Sequence, residues 1–318
     1  MNILIIAEVN DGVLSPASAE LFTAARAISA DADINAVALG SGIGSSVAIL
    51  SSLSVSRVFT AEAQNLTSAL AASFIQKAVA ESGPGVILMT ENDLGADLAP
   101  QLAVRLNTAA VTGIVAVRVE NDQAVFTRPV YGGNALADFT IESEPQIVSI
   151  RPKAFAPAAE VGNHTAEVFE LAAEPPAGVR VLERVAVQQQ GPKIEEAKIV
   201  VGGGRGLGGP EGFAQLKQLA DLIGGVVGAS RPPCDQGWWP ESGQIGITGK
   251  IISPDLYIAV GISGSSQHVS GVSGSKTIVA INKDTEANIF KVATYGVTGD
   301  WKKVIPSFTA KIKELTGR

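Results

Sequence analysis

The sequence has little cysteine, histidine or charge, and each shortage excludes a class of protein. It contains one cysteine, Cys234, and two histidines, His164 and His268. Neither a disulfide framework nor a metal site built from cysteines and histidines can therefore form within the chain. Charged residues make up 17% of the chain and the formal net charge is -7. We expect no nucleic-acid partner, because neutralising phosphates requires a basic surface.

Long apolar runs and targeting signals are also lacking. No stretch approaches the roughly 18 uninterrupted apolar residues of a membrane span. The N-terminal sequence MNILII runs directly into a predicted strand, with no basic segment or cleavage motif before it. We therefore expect a cytoplasmic protein with no direct membrane insertion.

Apolar residues are abundant, at 46% of 318 residues, and a chain of this length favours two domains over one. The stretch 152–193 is rich in proline, alanine and glutamate, and it ends in three consecutive glutamines followed by Gly191 and Pro192. We predict that this stretch is the boundary between an N-terminal domain, 1–190, and a C-terminal domain, 194–318.

The first half predicts alternating strands and helices. Short β-branched runs at 2–7, 34–39, 57–60 and 86–90 are separated by helical patterns at 16–30, 44–53, 66–81 and 94–107. Ser15 before Pro16 is typical of a helix start, and Asp93 is the predicted cap of the fourth helix. This alternation predicts a mostly parallel sheet, with the strand and helix order of an adenine-nucleotide hydrolase.

The alternation then stops. Strands are predicted at 112–120, 123–129 and 145–151 with no helices between them, and Asn121-Asp122 is a predicted hairpin turn. We interpret all three as an antiparallel extension of the first domain. Gly132 and Gly133 predict a tight turn or bulge.

The second half predicts a doubly wound, Rossmann-like α/β domain. Strands are predicted at 197–201, 225–229, 256–262 and 276–281, and a helix at 211–223. Gly204, Gly206 and Gly209 satisfy G-x-G-x-x-G between a strand and a helix. The next strand ends in Ser230-Arg231 rather than in an acid, which disfavours ordinary NAD binding. The segment GQIGITGK fails the phosphate-loop pattern in spacing and ending, so we reject nucleotide hydrolysis.

Polar residues follow the predicted strands of this domain at their carboxyl ends. Ligands of doubly wound folds bind at that edge, and the Gly/Ser segment Ser263–Ser275 leaves room for phosphates to approach backbone N–H groups. We predict that this edge binds a dinucleotide. The candidate residues are Arg205, Ser230, Arg231, Thr248, Ser263, Gln267, His268, Asn282 and Asp300.

Ordered motifs give the chain a resemblance to a known family. VGGGRG, VGASRPPCD, GQIGITGK, LYIAVGISGSSQH, KTIVAINKD and the YG-VTGD tail resemble the α subunit of electron transfer flavoprotein, and TRPVYGGNA supports this in the first half. The resemblance implies a heterodimer with a β subunit and one FAD per heterodimer, held mostly by the second domain of this chain. It also implies an AMP in the β subunit, not in this chain.

The resemblance also implies roles for individual residues. The adenosine and pyrophosphate portion of FAD would lie along Arg205, Gly206, Ser263, Gly264, Ser265, Ser266 and Asn282, with Asp300 and Trp301 near the adenine. The isoalloxazine and ribityl chain would lie along Ser230, Arg231, Gln244, Ile245, Gly246, Ile247, Thr248, Gln267 and His268. Ile247 departs from a common glutamine, which removes one side-chain contact.

The implied chemistry is that of the flavin. A hydrogen bond from His268 and the charge of Arg231 would stabilise negative charge near N1 and O2, and the Thr248 hydroxyl would donate to N5. We expect no catalytic side chain, no metal and no redox role for Cys234.

Three functions stay open at this point. The first is a non-enzymatic electron carrier, which takes single electrons from flavoprotein dehydrogenases, such as the acyl-CoA dehydrogenases of fatty acid β-oxidation, and passes them to a membrane electron transfer flavoprotein-quinone oxidoreductase. The second is a subunit of an NADH-dependent flavin-bifurcating complex. The third is a non-catalytic nucleotide sensor.

Overall fold

A computed structural model describes residues 1–133, 135–159, 162, 164–173, 181–183 and 193–317. The chain forms two compact units, Met1–Val130 with Ala135–Arg184, and Tyr131–Asn134 with Val185–Arg318. Much of the predicted boundary, including its glutamine run, lies outside the described residues.

The first unit is built on an eight-stranded sheet in which every pairing is parallel except that of β1 with β2. The strand order is β11-β4-β3-β1-β5-β10-β6, and β2 pairs with β1. Both faces of the sheet carry a buried apolar cluster, which explains the continuous apolar runs in its strands. The strands are β1 (Asn2–Asn10), β2 (Val13–Leu14), β3 (Asp33–Gly40), β4 (Arg57–Glu62), β5 (Val86–Thr90), β6 (Ala110–Ile114), β10 (Gln146–Ile150) and β11 (Glu167–Glu170).

Four helices cover this sheet, at the places where the apolar spacing predicts them: α1 (Pro16–Ile28), α2 (Gly44–Ser52), α3 (Ser68–Ser82) and α4 (Asp93–Arg105). Ser15 is the N-cap residue of α1, as predicted, but its hydroxyl makes no capping bond. The cap predicted for α4 is wrong by one residue, because the Asn92 side chain, not that of Asp93, accepts from the backbone N–H of Gly95.

The antiparallel extension is smaller than predicted and partly made of other residues. It contains β7 (Ala116–Glu120), β8 (Gln123–Val130) and β9 (Ala135–Phe139), in that order. Asn121 and Asp122 make the predicted hairpin turn, both with positive φ. The predicted strand 112–120 is two strands that belong to different sheets.

Assigning the strand at 145–151 to the extension was wrong. That strand, β10, lies between β5 and β6 in the large sheet and is parallel to both. Its sequence, QIVSI, is buried over four of its five residues, which a central strand requires. The strand β11 falls in the predicted boundary and pairs with β4, which the composition of that stretch did not indicate.

The second unit has a five-stranded, fully parallel sheet in the order β13-β12-β14-β15-β16. Its strands are β12 (Ile199–Gly203), β13 (Val226–Ala229), β14 (Leu256–Val260), β15 (Thr277–Asn282) and β16 (Tyr295–Thr298), and its helices are α5 (Glu211–Ile223), α6 (Arg231–Asp235), α7 (Ser266–Ser270) and α8 (Trp301–Thr316). A separate apolar cluster packs on each face. The predicted doubly wound α/β class is confirmed.

The sequence analysis missed β16 and α8. The helix begins after Asp300, whose side chain accepts from the backbone N–H of Lys302, and Pro306 lies inside it. None of the described helices combines the length and the apolar character needed to cross a membrane.

Candidate functional site

The strand order of the second unit places a split at the carboxyl ends of β12 and β14. The chain leaves β12 through α5 toward β13 on one side and returns to β14 on the other. At such a point the two connecting loops diverge and leave a crevice in which parallel α/β sheets bind ligands. The predicted candidate residues lie in the segments that follow β12, β13 and β14, at the last residue of β15 and, for Asp300, after β16.

The loops after β12 and β14 touch through their backbones. The Gly206 N–H donates to the Gly261 carbonyl at 3.0 Å. A Cβ added at Gly204 would lie 2.2 Å from that same oxygen, and one at Gly206 would lie 2.7 Å from it. These two glycines of the G-x-G-x-x-G pattern are thus required for packing one loop against the other.

A run of free donors follows β14. Within the described part of the chain, the backbone N–H groups from Ser263 to Gln267 donate to no protein acceptor. Ser263, Ser265, Ser266 and Gln267 are also exposed. Gly264, with φ of 80°, turns this 263–267 segment, and a Cβ there would lie 2.2 Å from the backbone nitrogen of Ile289. Successive free N–H groups on a glycine-bearing turn are typical of an anion-binding concavity.

Arg205 supplies a cation to the same edge. Its side chain is exposed, and it makes no hydrogen bond or ion pair with the described residues. Its neighbour Gly206 is bonded to Gly261, so the guanidinium is on the loop that abuts the start of the 263–267 segment. Arg231 differs, because its Nε lies 3.4 Å from Oδ2 of Asp235.

Most backbone N–H groups of the loop Gln244–Lys250, the 244–250 loop, donate to other backbone carbonyls. The Ile245 N–H donates to Ala229, and the Ile247 N–H donates to Gln267 at 2.9 Å. The Ile247 side chain is 57% exposed. The Ile247 N–H is therefore not available for a contact with a ligand in this conformation.

Gln244 and Thr248 form a pair inside this loop. The Gln244 amide is buried and donates from Nε2 to the Thr248 hydroxyl at 3.1 Å, while Thr248 itself is exposed. A Cβ on Gly271, just after α7, would lie 2.6 Å from the Cα and N of Gly246. The loop therefore rests on α7 with backbone directly against backbone.

His268 is buried and bonded to two groups of the protein. The side chain is 4% exposed, its Nε2 lies 2.8 Å from the Tyr257 hydroxyl, and its Nδ1 lies 3.2 Å from the Ile245 carbonyl. Burial lowers the pKa of His268 to about 4, although the bond to Ile245 opposes this. Both ring nitrogens have protein partners in this conformation, and the hydrogen bond from the imidazole to a flavin stays a prediction.

Asn282, Asp300 and Trp301 also serve the fold. The Asn282 amide donates to the Ile262 carbonyl at 2.9 Å and its Oδ1 accepts from the Asp284 N–H at 3.0 Å. Asp300 caps α8. Trp301 is 8% exposed and belongs to the apolar cluster under α5 and α8. Burial keeps most of the Trp301 ring within the core, and the place of Asp300 and Trp301 near an adenine stays a prediction.

Ser230 precedes α6 and Cys234 lies within it. Ser230 is buried, precedes the helix, and donates its N–H to the Gly203 carbonyl at 3.0 Å. Burial, with the carboxylates of Asp235 and Glu241, raises the pKa of Cys234 to about 11. The thiol is therefore protonated at neutral pH and is a poor nucleophile.

The residue that the sequence analysis missed is Tyr257. It is fully buried in β14, and a Cβ on Gly202 of β12 would lie 2.1 Å from its hydroxyl. The available signal was a hydroxyl within the otherwise apolar run LYIAV, because a buried tyrosine hydroxyl almost always has a hydrogen-bond partner.

Comparison with known families gives two matches that cover most of the chain. Residues 3–176 match the family described as electron transfer flavoprotein domain, and residues 193–273 match the electron transfer flavoprotein FAD-binding domain.

Full-length relatives agree. Electron transfer flavoprotein subunit alpha of Bacillus subtilis (strain 168) is 37% identical over 318 residues, which are 98% of this chain and 98% of the relative. The protein of the same name from Thermoanaerobacterium thermosaccharolyticum is 38% identical over 324 residues, with 99% and 98% covered. Protein FixB of Clostridium saccharobutylicum is 36% identical over 321 residues, with 98% and 96% covered.

Proposed function

The chain belongs to the electron transfer flavoprotein family as an α subunit, and from this premise we propose the route of its electrons. The α subunit has an FAD-binding domain, takes part in electron transfer and pairs with a β subunit. The proposed route takes single electrons from flavoprotein dehydrogenases, such as acyl-CoA dehydrogenases, to a membrane electron transfer flavoprotein-quinone oxidoreductase. We further propose one FAD per heterodimer, an AMP in the β subunit and a cytoplasmic location.

The observation that carries the cofactor assignment is the pairing of free donors with a free cation. The backbone N–H groups of Ser263 to Gln267 and the Arg205 guanidinium have no protein partners among the described residues. A pyrophosphate offers the oxygens that such groups bind, so these residues fit the centre of FAD.

The other end of the site would face the isoalloxazine. Ser230, Arg231 and Thr248 lie on the segment between β13 and β14. Arg231 would place positive charge beside the ring, and Gln244 would hold the Thr248 hydroxyl in one orientation by donating to it. FAD supplies the one-electron chemistry when bound, so the chain's part is to bind it, orient it and set the charge around it.

Co-expression of this chain with its β subunit tests the proposal. The purified pair is expected to be yellow and to contain about one FAD per heterodimer, released as free FAD on denaturation. Mixed with a reduced acyl-CoA dehydrogenase, it should be reduced and should pass electrons to a quinone oxidoreductase.

Two results would contradict this. A colourless pair that cannot be loaded with FAD would favour a nucleotide sensor. Direct reduction by NADH, with a second FAD in the pair, would favour the flavin-bifurcating alternative.

A further inference from the structure

Tyr257 is a buried titratable residue that the proposed function does not use. It is fully buried in β14, where its ring packs among apolar residues of one face of the sheet. Gly202 on the neighbouring strand leaves room for its hydroxyl, which a Cβ at that position would meet at 2.1 Å. The hydroxyl lies 2.8 Å from Nε2 of His268.

The direction of each hydrogen bond follows from the chemistry of the groups. The Ile245 carbonyl can only accept, so the proton of the imidazole lies on Nδ1, which is 3.2 Å from that oxygen. A neutral imidazole then has a lone pair on Nε2, and the Tyr257 hydroxyl donates to it. The chain of bonds runs from Tyr257 through His268 to Ile245, and it assigns one tautomer to the histidine.

This chain of bonds ends on the 244–250 loop. It holds the carbonyl of Ile245, two residues before the Ile247 N–H that donates to Gln267 of α7. Together these two bonds fix the loop against α7 on both sides of Gly246, whose backbone is in direct contact with Gly271. The same loop carries Thr248 and its partner Gln244.

We propose that Tyr257 is a positioning residue of the flavin site, which acts through the His268 tautomer to hold the 244–250 loop, and with it Thr248, against α7. This inference rests on the proposed function for the identity of the ligand, but the bonds themselves belong to the chain alone. Without the tyrosine hydroxyl, Nε2 would be a buried acceptor without a donor, so the imidazole would lose its single orientation.

Tyr257→Phe tests this, because it keeps the ring and removes only the hydroxyl. Tyr295→Phe is the matched control, since Tyr295 is 65% exposed. Both variants are made in the full chain, paired with the β subunit. His268 is observed by imidazole nitrogen-15 NMR, with its signals identified by their absence from His268→Gln.

The expected wild-type spectrum shows Nδ1 protonated and Nε2 as a hydrogen-bond acceptor. In Tyr257→Phe, the Nε2 signal should shift and the Nδ1 proton should exchange faster with solvent. FAD binding should weaken about tenfold, the order expected for an unsatisfied buried acceptor, and the potential of the bound flavin should move. Tyr295→Phe should change none of these.

The opposite outcome is specific. Unchanged His268 signals, FAD affinity and flavin potential in Tyr257→Phe, even with a lowered melting temperature, would reduce Tyr257 to core packing and overturn the proposal. Global replacement of tyrosine by 3-fluorotyrosine serves if Tyr257→Phe is not recovered folded, because a more acidic hydroxyl should also shift the His268 Nε2 signal. A pair that fails to bind FAD even as wild type refutes the proposed function instead, and the nitrogen-15 measurement still decides the hydrogen-bond direction.

Discussion

The 263–267 segment leads into α7 and the 244–250 loop rests on α7, and the two use their backbones in opposite ways. Consecutive N–H groups of the first have no acceptor in the described chain, while those of Ile245, Gly246 and Ile247 in the second all donate to other backbone carbonyls. The first segment is arranged to receive a ligand, and the second is arranged to be held still. A cofactor site needs both, because donors bind only where a fixed framework presents them.

The largest effect is expected from replacing Gly264, which sets the turn of the 263–267 segment. Gly264 and Gly208 have nearly the same φ, 80° and 83°, but only Gly264 has a neighbour within 4 Å of an added Cβ, the nitrogen of Ile289 at 2.2 Å. Gly264→Ala should destabilise the unit by about 2–3 kcal/mol more than Gly208→Ala and should abolish FAD retention. Urea unfolding and FAD content of both variants check this, and equal behaviour would contradict it.

The next largest effect is expected from His268, which is hydrogen-bonded to Ile245 of the 244–250 loop. The folded pKa of His268 is about 4, below its ordinary 6.5, so the unfolded chain binds the proton more readily. The contribution of the neutral His268 imidazole to the free energy of unfolding is complete above about pH 6.5, and it is lost as the pH falls toward 4. Between pH 7 and about 4.5, the free energy of unfolding should fall by about 2–3 kcal/mol more in the wild type than in His268→Gln.

Urea denaturation at the two pH values measures this difference in slope. Acidic groups shared by both proteins cancel in the comparison. Parallel pH profiles for the two proteins would show that His268 is not kept neutral by burial.

A smaller effect separates the two arginines. Arg205 has no partner among the described residues, whereas Arg231 lies beside Asp235. Arg205→Gln should weaken FAD binding about tenfold, the order of a charge-assisted hydrogen bond, and the loss should shrink as salt is added. Arg231→Gln should weaken binding less but should alter the flavin potential. Titrations of the apo pair with FAD at two salt concentrations check both, and the reverse ranking would contradict the pyrophosphate assignment.

The smallest effect is expected from a substitution inside the 244–250 loop. Gln244→Ala removes the amide that donates to the Thr248 hydroxyl, and it should destabilise the folded unit by about 1 kcal/mol. It should also shift the flavin potential slightly, because Thr248 would lose its fixed orientation. Gln236→Ala, at an exposed position, is the control. Indistinguishable potentials for the two variants would remove Thr248 from the site.

Most of the fold is predictable from local pattern, because buried parallel strands and amphipathic helices have distinct apolar spacing. The wrong sheet assignment is a case in which residues distant in the sequence determine the strand pairing. QIVSI is a strand by pattern, but its parallel neighbours β5 and β6 are set by tertiary packing. α8 has apolar residues at helical spacing, at Trp301, Val304 and Ile305, but Pro306 conceals it.

The candidate site shows the same division. The sequence placed the polar residues on the correct edge of the sheet, because strand ends determine where loops lie. It could not determine which way each side chain points. His268 and Trp301 are both buried, which the sequence did not indicate because burial is a property of the folded unit.

The contact between Gly202 and Tyr257 limits which substitutions these two positions can accept. The tyrosine hydroxyl occupies the volume where any side chain at position 202 would begin. A larger residue at 202 is therefore tolerable only after the ring at 257 has been replaced by something shorter, and that replacement also leaves His268 without its donor. The two positions are expected to change in one permitted order or to stay fixed together.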